Sequence, residues 1–154
     1  MKFFLTILLI TMTFLGCSKN NAFDRFNLSH TQELTEESLQ SSKLKTDTQT
    51  KGVVSTVYLN NVYPELYNEN EYFYVYFFIK GESDIKNLHF LLNGSESIYI
   101  EELKAENEFS KLTTFDAKWK KYYLVGFKKQ SDKIGFELKS STLSSSTLYY
   151  EKDE

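Results

Sequence analysis

A single cysteine, Cys17, denies the chain an internal disulfide. In an oxidising compartment its fold must rest on core packing alone. Two histidines, His30 and His89, are too few and too far apart for a zinc site built from Cys and His. There is one arginine, and the lysines are scattered through a mildly acidic chain of net charge −3. That distribution argues against a nucleic-acid surface. No Gly-x-Ser-x-Gly elbow is present, and His89 sits mid-strand beside Phe90, a poor place for a general base. Residues 141–146 read as a serine-rich turn rather than as nucleophiles. The acidic pairs Glu101-Glu102 and Glu106/Glu108 lack the Asp-rich loop and bending glycine of a calcium site. Nothing here calls for a metal or cofactor, and a hydrolase is a remote alternative. The longest apolar run, residues 3–15, is too short to cross a bilayer, which takes about 20 apolar residues.

That run is nevertheless the most informative stretch of the chain. Lys2 supplies a positive start, residues 3–15 an apolar core, and Gly16 a small residue before Cys17. This is the layout of an export signal. Phe14-Leu15-Gly16-Cys17 resembles the lipobox of bacterial lipoproteins. The resemblance implies that residues 1–16 are a signal peptide, cut before Cys17, and that Cys17 carries the lipid chains. One acyl chain binds a membrane marginally, whereas several anchor it for good. Ser18 stands where Asp would signal retention at the inner membrane, so the resemblance further implies the outer membrane. Heavy use of Lys, Asn, Phe and Tyr fits an AT-rich bacterial genome.

Residues 17–51 are polar and read as a tether between membrane and domain. Part of it can be helical, since Ser29 and Gln32 have the spacing of a capping box. Leu34, Leu39 and Leu44 recur every five residues, which makes no single helical stripe, so such a helix docks weakly. From residue 52 the pattern changes to period two. Residues 53–62 form a strand that Pro64 ends. Residues 71–80 form the strongest strand, with Phe73, Val75, Phe77 and Ile79 on one face and Tyr72, Tyr74, Tyr76 and Phe78 on the other. A strand apolar on both faces belongs in the middle of a sheet. A hairpin follows, in which a three-residue loop, Leu92-Asn93-Gly94, would pair Leu88 with Ile98 and keep the apolar faces together. Residues 101–116 are a long connection. The strand at 119–129 would pair with the next one through a turn at Gln130-Ser131, setting Phe127 beside Ile134 and Val125 beside Phe136. Residues 147–151 make a last strand. The expected core is Phe73, Val75, Phe77, Leu88, Phe90, Ile100, Val125, Phe127 and Phe136.

About seven short strands over residues 52–154 predict a mainly β domain, an immunoglobulin-like sandwich, with a small open barrel as the alternative. Residues 116–125 resemble the strand that carries the tyrosine corner in such domains, although no Cys-Trp-Cys spacing makes this an antibody-type domain. Tyr72, Tyr74 and Tyr76 would form a stripe suited to a protein or saccharide partner, enlarged by Trp119, Tyr122, Tyr149 and Tyr150. The same stripe could instead pack beneath a loop, an N-terminal helix or a second sheet. Lys118, Lys120, Lys121, Lys128 and Lys129 suit anionic lipid or saccharide phosphate, or simply guard a sheet edge. The expected function is that of a membrane-anchored envelope lipoprotein acting as a non-catalytic binding or structural module. The alternative is a periplasm-facing accessory factor in the assembly of an envelope complex.

Overall fold

Two antiparallel sheets pack face to face in the computed structural model, which describes residues 29–81, 87–113, 117–130 and 133–152. Cys17 and the apolar run before it lie outside the described residues. The described chain opens with helix α1 (His30–Ser38). Its start is fixed by the capping box: the Gln32 amide donates to Ser29 Oγ at 3.4 Å, and the Ser29 amide donates to Gln32 Oε1 at 2.8 Å. Strands β1 (Leu39–Lys45) and β2 (Thr50–Tyr58) follow, then a single helical turn, α2 (Leu59–Val62), then β3 (Glu71–Ile79). Next come β4 (His89–Leu92), β5 (Ser95–Glu96) and β6 (Tyr99–Leu103). A short 3-10 turn (Ser110–Leu112) precedes β7 (Lys121–Phe127), β8 (Lys133–Lys139) and β9 (Leu148–Glu151).

The five-stranded sheet has the order β1-β2-β3-β7-β6 and the four-stranded sheet β5-β4-β8-β9. An immunoglobulin domain orders its strands A-B-E-D in one sheet and C′-C-F-G in the other. Here β2, β3, β7 and β6 stand as A-B-E-D, and β5, β4, β8 and β9 as C′-C-F-G. The chain therefore has an immunoglobulin-like topology with one additional strand, β1, outside A. The two sheets touch where Ser144 bridges to Lys45 and to Lys139, without closing a barrel.

Alternation places odd residues of β3 inward and even ones outward. Phe73, Val75 and Phe77 meet Phe90, Leu92, Ile134, Phe136 and Leu138 of the opposite sheet, all at most 2% exposed. Phe73 lies at the centre, its ring centroid 5.1 Å from Tyr58, 5.2 Å from Phe136 and 5.8 Å from Phe127. The outer face of the five-stranded sheet carries a second core. Val57, Tyr74, Tyr122 and Leu124 are covered there by Leu59 and Val62 of α2 and by Phe109 and Leu112 of the long connection, with Leu34 of α1 at the margin.

Six expectations are corrected. Residues 29–51 are not a tether: α1 packs on the outer face, and β1 pairs with β2 along its whole length, burying Leu44. The hairpin has a two-residue loop, with Leu92 opposite Ser95 and positive φ at both Asn93 (50°) and Gly94 (78°). Those two left-handed residues give a turn whose twist matches the strands. Ile98 and Ile100 never needed to share the face of β4, because the chain crosses to the other sheet as β6, where Ile100 pairs with Val125 and is half exposed at the edge. Leu88, also expected in the core, is only partly buried. Strands β7 and β8 do not pair: β7 joins β3 and β8 joins β4, so Phe127 meets Phe136 across the core, at 6.0 Å and 90°, rather than along a ladder. Finally, the tyrosine clasp exists but on a different strand. Tyr122 Oη accepts from the Ala117 amide at 2.8 Å and donates to the Ala117 carbonyl at 3.1 Å. Tyr122 opens β7, which holds the place of strand E, whereas an antibody domain carries this feature at strand F.

Candidate functional site

The stripe of Tyr72, Tyr74 and Tyr76 is part of the second core rather than an open binding face. Tyr74 is 0% exposed, stacked on Tyr122 at 6.2 Å and 14°, and closed over by Phe109 at 5.2 Å. Tyr72 is half-buried against Tyr67, ring to ring at 4.9 Å. Tyr76 is half-buried too, and burial raises the pKa of its hydroxyl even though Ser55 hydrogen-bonds to it. Sequence alternation put these rings on one face correctly. What covers them comes from α2 and from residues 104–113, which have no periodicity to announce it.

The cover stops short of one end of the sheet, and there the outer face is open. Phe78 is the next outward residue of β3 after Tyr76. Val53 of β2 lies opposite it, and Lys43 of β1 opposite Val53. The Trp119 ring stands edge-on to Phe78, with centroids 5.1 Å apart and planes at 85°. Val53 is 45% exposed, Phe78 41% and Trp119 64%. Single exposed apolar residues are ordinary, but a contiguous exposed group calls for an explanation. Lysines surround this group. Lys43, Lys51 and Lys80 point outward by alternation, and the Lys80 amide donates to the Lys51 carbonyl at 2.7 Å. Lys120 Nζ lies 4.9 Å from the centroid of Tyr76 and 5.6 Å from that of Trp119, within range of a cation–π attraction. Lys121, one residue on, pairs with Glu102 at 3.0 Å, and both side chains are about half exposed. Such a pair contributes little in water.

Trp119 was legible as a candidate. Val53, Phe78, Lys43, Lys51 and Lys80 were not, because they are spread over 38 positions of sequence and meet only through ladder register.

A groove of about 680 Å³ runs between β1 and β9, where Tyr149 is exposed beside Glu37 and Lys133. Side-chain amides stitch it. Gln40 Nε2 donates to the Tyr149 carbonyl, and Asn61 Nδ2 to the Glu151 carbonyl at 3.2 Å. They satisfy carbonyls that an edge strand otherwise leaves to water, so this groove is a seam of the fold. At the same end of the molecule Glu71 turns inward and is 1% exposed. Its carboxylate accepts from Tyr58 Oη at 2.6 Å, from the Gln130 amide at 2.8 Å and from Lys152 Nζ at 2.6 Å. Burial alone would push this carboxyl up. Lys152, Tyr58 and Gln130 together outweigh it and hold the group below the ordinary carboxylate range. Its partners account for it as a structural clasp.

His89 Nδ1 lies 2.9 Å from Glu96 across the exposed hairpin. Among the described residues no three His, Cys, Asp or Glu side chains are grouped to hold a metal ion, and no helix is long and apolar enough to cross a membrane. Among known proteins, no family model, no curated protein and no solved structure matches the chain.

Proposed function

We propose that this chain is an envelope lipoprotein of a bacterium, anchored through acyl chains on Cys17, whose immunoglobulin-like domain is a non-catalytic binding module. The anchor is supported by Gly16-Cys17 behind the apolar run, and the outer membrane by Ser18. The observation that carries the binding role is the open Phe78–Trp119 pair. The middle of the outer face is covered by α2 and the long connection, yet these two rings are left largely exposed. Full burial of such a side chain is worth roughly 1.5–3 kcal/mol, a gain the folded domain forgoes and a partner can collect. Of Tyr72, Tyr74 and Tyr76, only Tyr76 adjoins this site, its ring 4.9 Å from Lys120 Nζ.

Two measurements on protein from its own membranes test the reading. Mass spectrometry of the N-terminal peptide should find Cys17 first and acylated; a free thiol or a cut elsewhere rejects the anchor. A photo-crosslinking residue at position 119 should capture an envelope component in living cells, and one at exposed Tyr149 should not. Equal capture at both positions rejects the open aromatic end as the binding surface.

A further inference from the structure

We infer that the open end of the five-stranded sheet seats on an anionic phospholipid bilayer, with Val53, Phe78 and Trp119 in the headgroup layer and the surrounding lysines at its phosphates. The inference rests on the reading of the chain as a membrane-anchored protein and names the occupant of its exposed site.

Three observations favour a bilayer. The first is charge. Every strand that reaches this end contributes a lysine to it: Lys43 from β1, Lys51 from β2, Lys80 directly after β3 and Lys120 directly before β7. Among the described residues, no acidic side chain of β1, β2, β3 or β7 faces outward, the one carboxylate of β3, Glu71, faces the core, and of the β6 carboxylates Glu101 is bonded by Tyr99 and Glu102 by Lys121. Glu36 of α1 acts on this face at the Tyr76 hydroxyl. Glu82, Asp84 and Asp116, near in sequence, lie outside the described residues. The second is shape and chemistry. Trp119 and Phe78 meet edge to face at 85°, so they offer no flat double platform for a sugar ring. Their polar neighbours are mostly ammonium groups, and the one carboxylate that shares the groove beside Trp119, Glu102, is paired with Lys121 at 3.0 Å. An amphipathic aromatic ringed by lysines is what the interface of a membrane accepts. The third is reach. Eleven residues, 18–28, separate Cys17 from Ser29. Covalent geometry lets them span at most about 36–40 Å. A domain of about 100 residues has a radius of gyration of about 13 Å, so anchor and patch can meet one bilayer.

The chain has a single tryptophan, so its fluorescence reports this site alone. The acylated protein is reconstituted into vesicles of phosphatidylcholine, with or without phosphatidylglycerol. In the anionic vesicles Trp119 emission should shift to the blue and be quenched by brominated acyl chains. In neutral vesicles, or in about 1 M salt where the Debye length falls to about 3 Å, it should stay water-like. Each lysine at an anionic surface is worth about fivefold, so Lys43→Ala with Lys80→Ala should lower the ratio of seated to free domain by about 30-fold. Circular dichroism of that variant should match the parent. A water-like Trp119 in anionic vesicles overturns the inference while the anchor stands. So does a shift that appears only when an anionic polysaccharide or a membrane protein is added. The N-terminal mass of the same sample judges the anchor separately. If Cys17 is unacylated, the anchor reading fails, and sedimentation with anionic vesicles together with Trp119 quenching still decides the seat.

Discussion

Removing the Lys152 ammonium, as in Lys152→Met, should destabilise the domain through Glu71. The carboxylate is 1% exposed and has three donors, of which only Lys152 is charged. Breaking a buried ion pair by deleting one partner costs about 3–5 kcal/mol, because the other charge is stranded. Lys152 keeps 22% of its side-chain exposure, which brings the loss below that range, to about 2–3 kcal/mol. Glu71→Gln should cost less, about 1–2 kcal/mol, since the freed ammonium can turn toward water and the amide can still accept from Tyr58. Lys152 also donates to the Gln130 carbonyl at 2.7 Å, so the double variant should show coupling of about 1–2 kcal/mol rather than simple addition.

The effect has a pH signature with a definite sign. The folded pKa of Glu71 is depressed, so its contribution is fully present above the unfolded carboxyl value, near 4.3, and is lost as pH falls through the lower folded value. In Lys152→Met the carboxyl is buried with fewer partners, and protonation relieves it. Both deficits should therefore be flat near neutrality and shrink below about pH 4. Urea unfolding followed by far-ultraviolet circular dichroism between pH 7 and pH 3 measures this. A deficit under about 0.5 kcal/mol at pH 7, or one unchanged at pH 3, would refute the reasoning.

A chain starting at Thr50 should lose most of its stability or fail to fold. It lacks the β1 ladder and Leu44, whose truncation to alanine alone is worth about 2–5 kcal/mol. An unfolding midpoint equal to that of a chain starting at Ser29 would show that α1 and β1 are dispensable. Tyr122→Phe leaves the Ala117 amide without its partner, while the Ala117 carbonyl keeps the Lys120 amide at 3.0 Å, and should cost about 1–3 kcal/mol. A change within about 0.5 kcal/mol by denaturant titration would mean that water replaces the clasp.

The faces of the strands were readable, and the partners of those faces were not. Period-two alternation placed Phe73, Val75 and Phe77 in the core, and the double-sided apolarity of β3 put it at the centre of its sheet. Alternation also put Val125, Phe127, Ile134 and Phe136 on core-facing sides of their strands. It could not say whether facing residues meet along a ladder or across the gap between two sheets, since both bury them equally. Strand β1 was hidden because its sequence, Gln40-Ser41-Ser42-Lys43, has linker composition; as an edge strand it buries little beyond Leu44 and holds Ser41 Oγ 2.8 Å from Ser55 Oγ. The hairpin misled because the chain leaves β5 after two residues, and Ile98 and Ile100 answer to another sheet. Of the candidate site, the proposed anchor at Cys17 rests on sequence alone. The lysine-ringed aromatics are visible only once register brings Lys43, Val53 and Phe78 into one row.

The extra strand has a mechanical consequence. Strand β1 lies between whatever pulls on the N-terminus and the eight strands that complete the sandwich. A load arriving at Ser29 would first unwind α1 and then reach β1 at Leu39, the end paired with Val57. Pulled from that end, the ladder opens one bond after another instead of all together. Residues 29–45 would then pay out about 55–60 Å of slack at about 3.3–3.6 Å each. The domain would thus carry a folded length reserve at its point of attachment, visible in an optical-tweezers trace as a low-force step ahead of the unfolding of the sandwich.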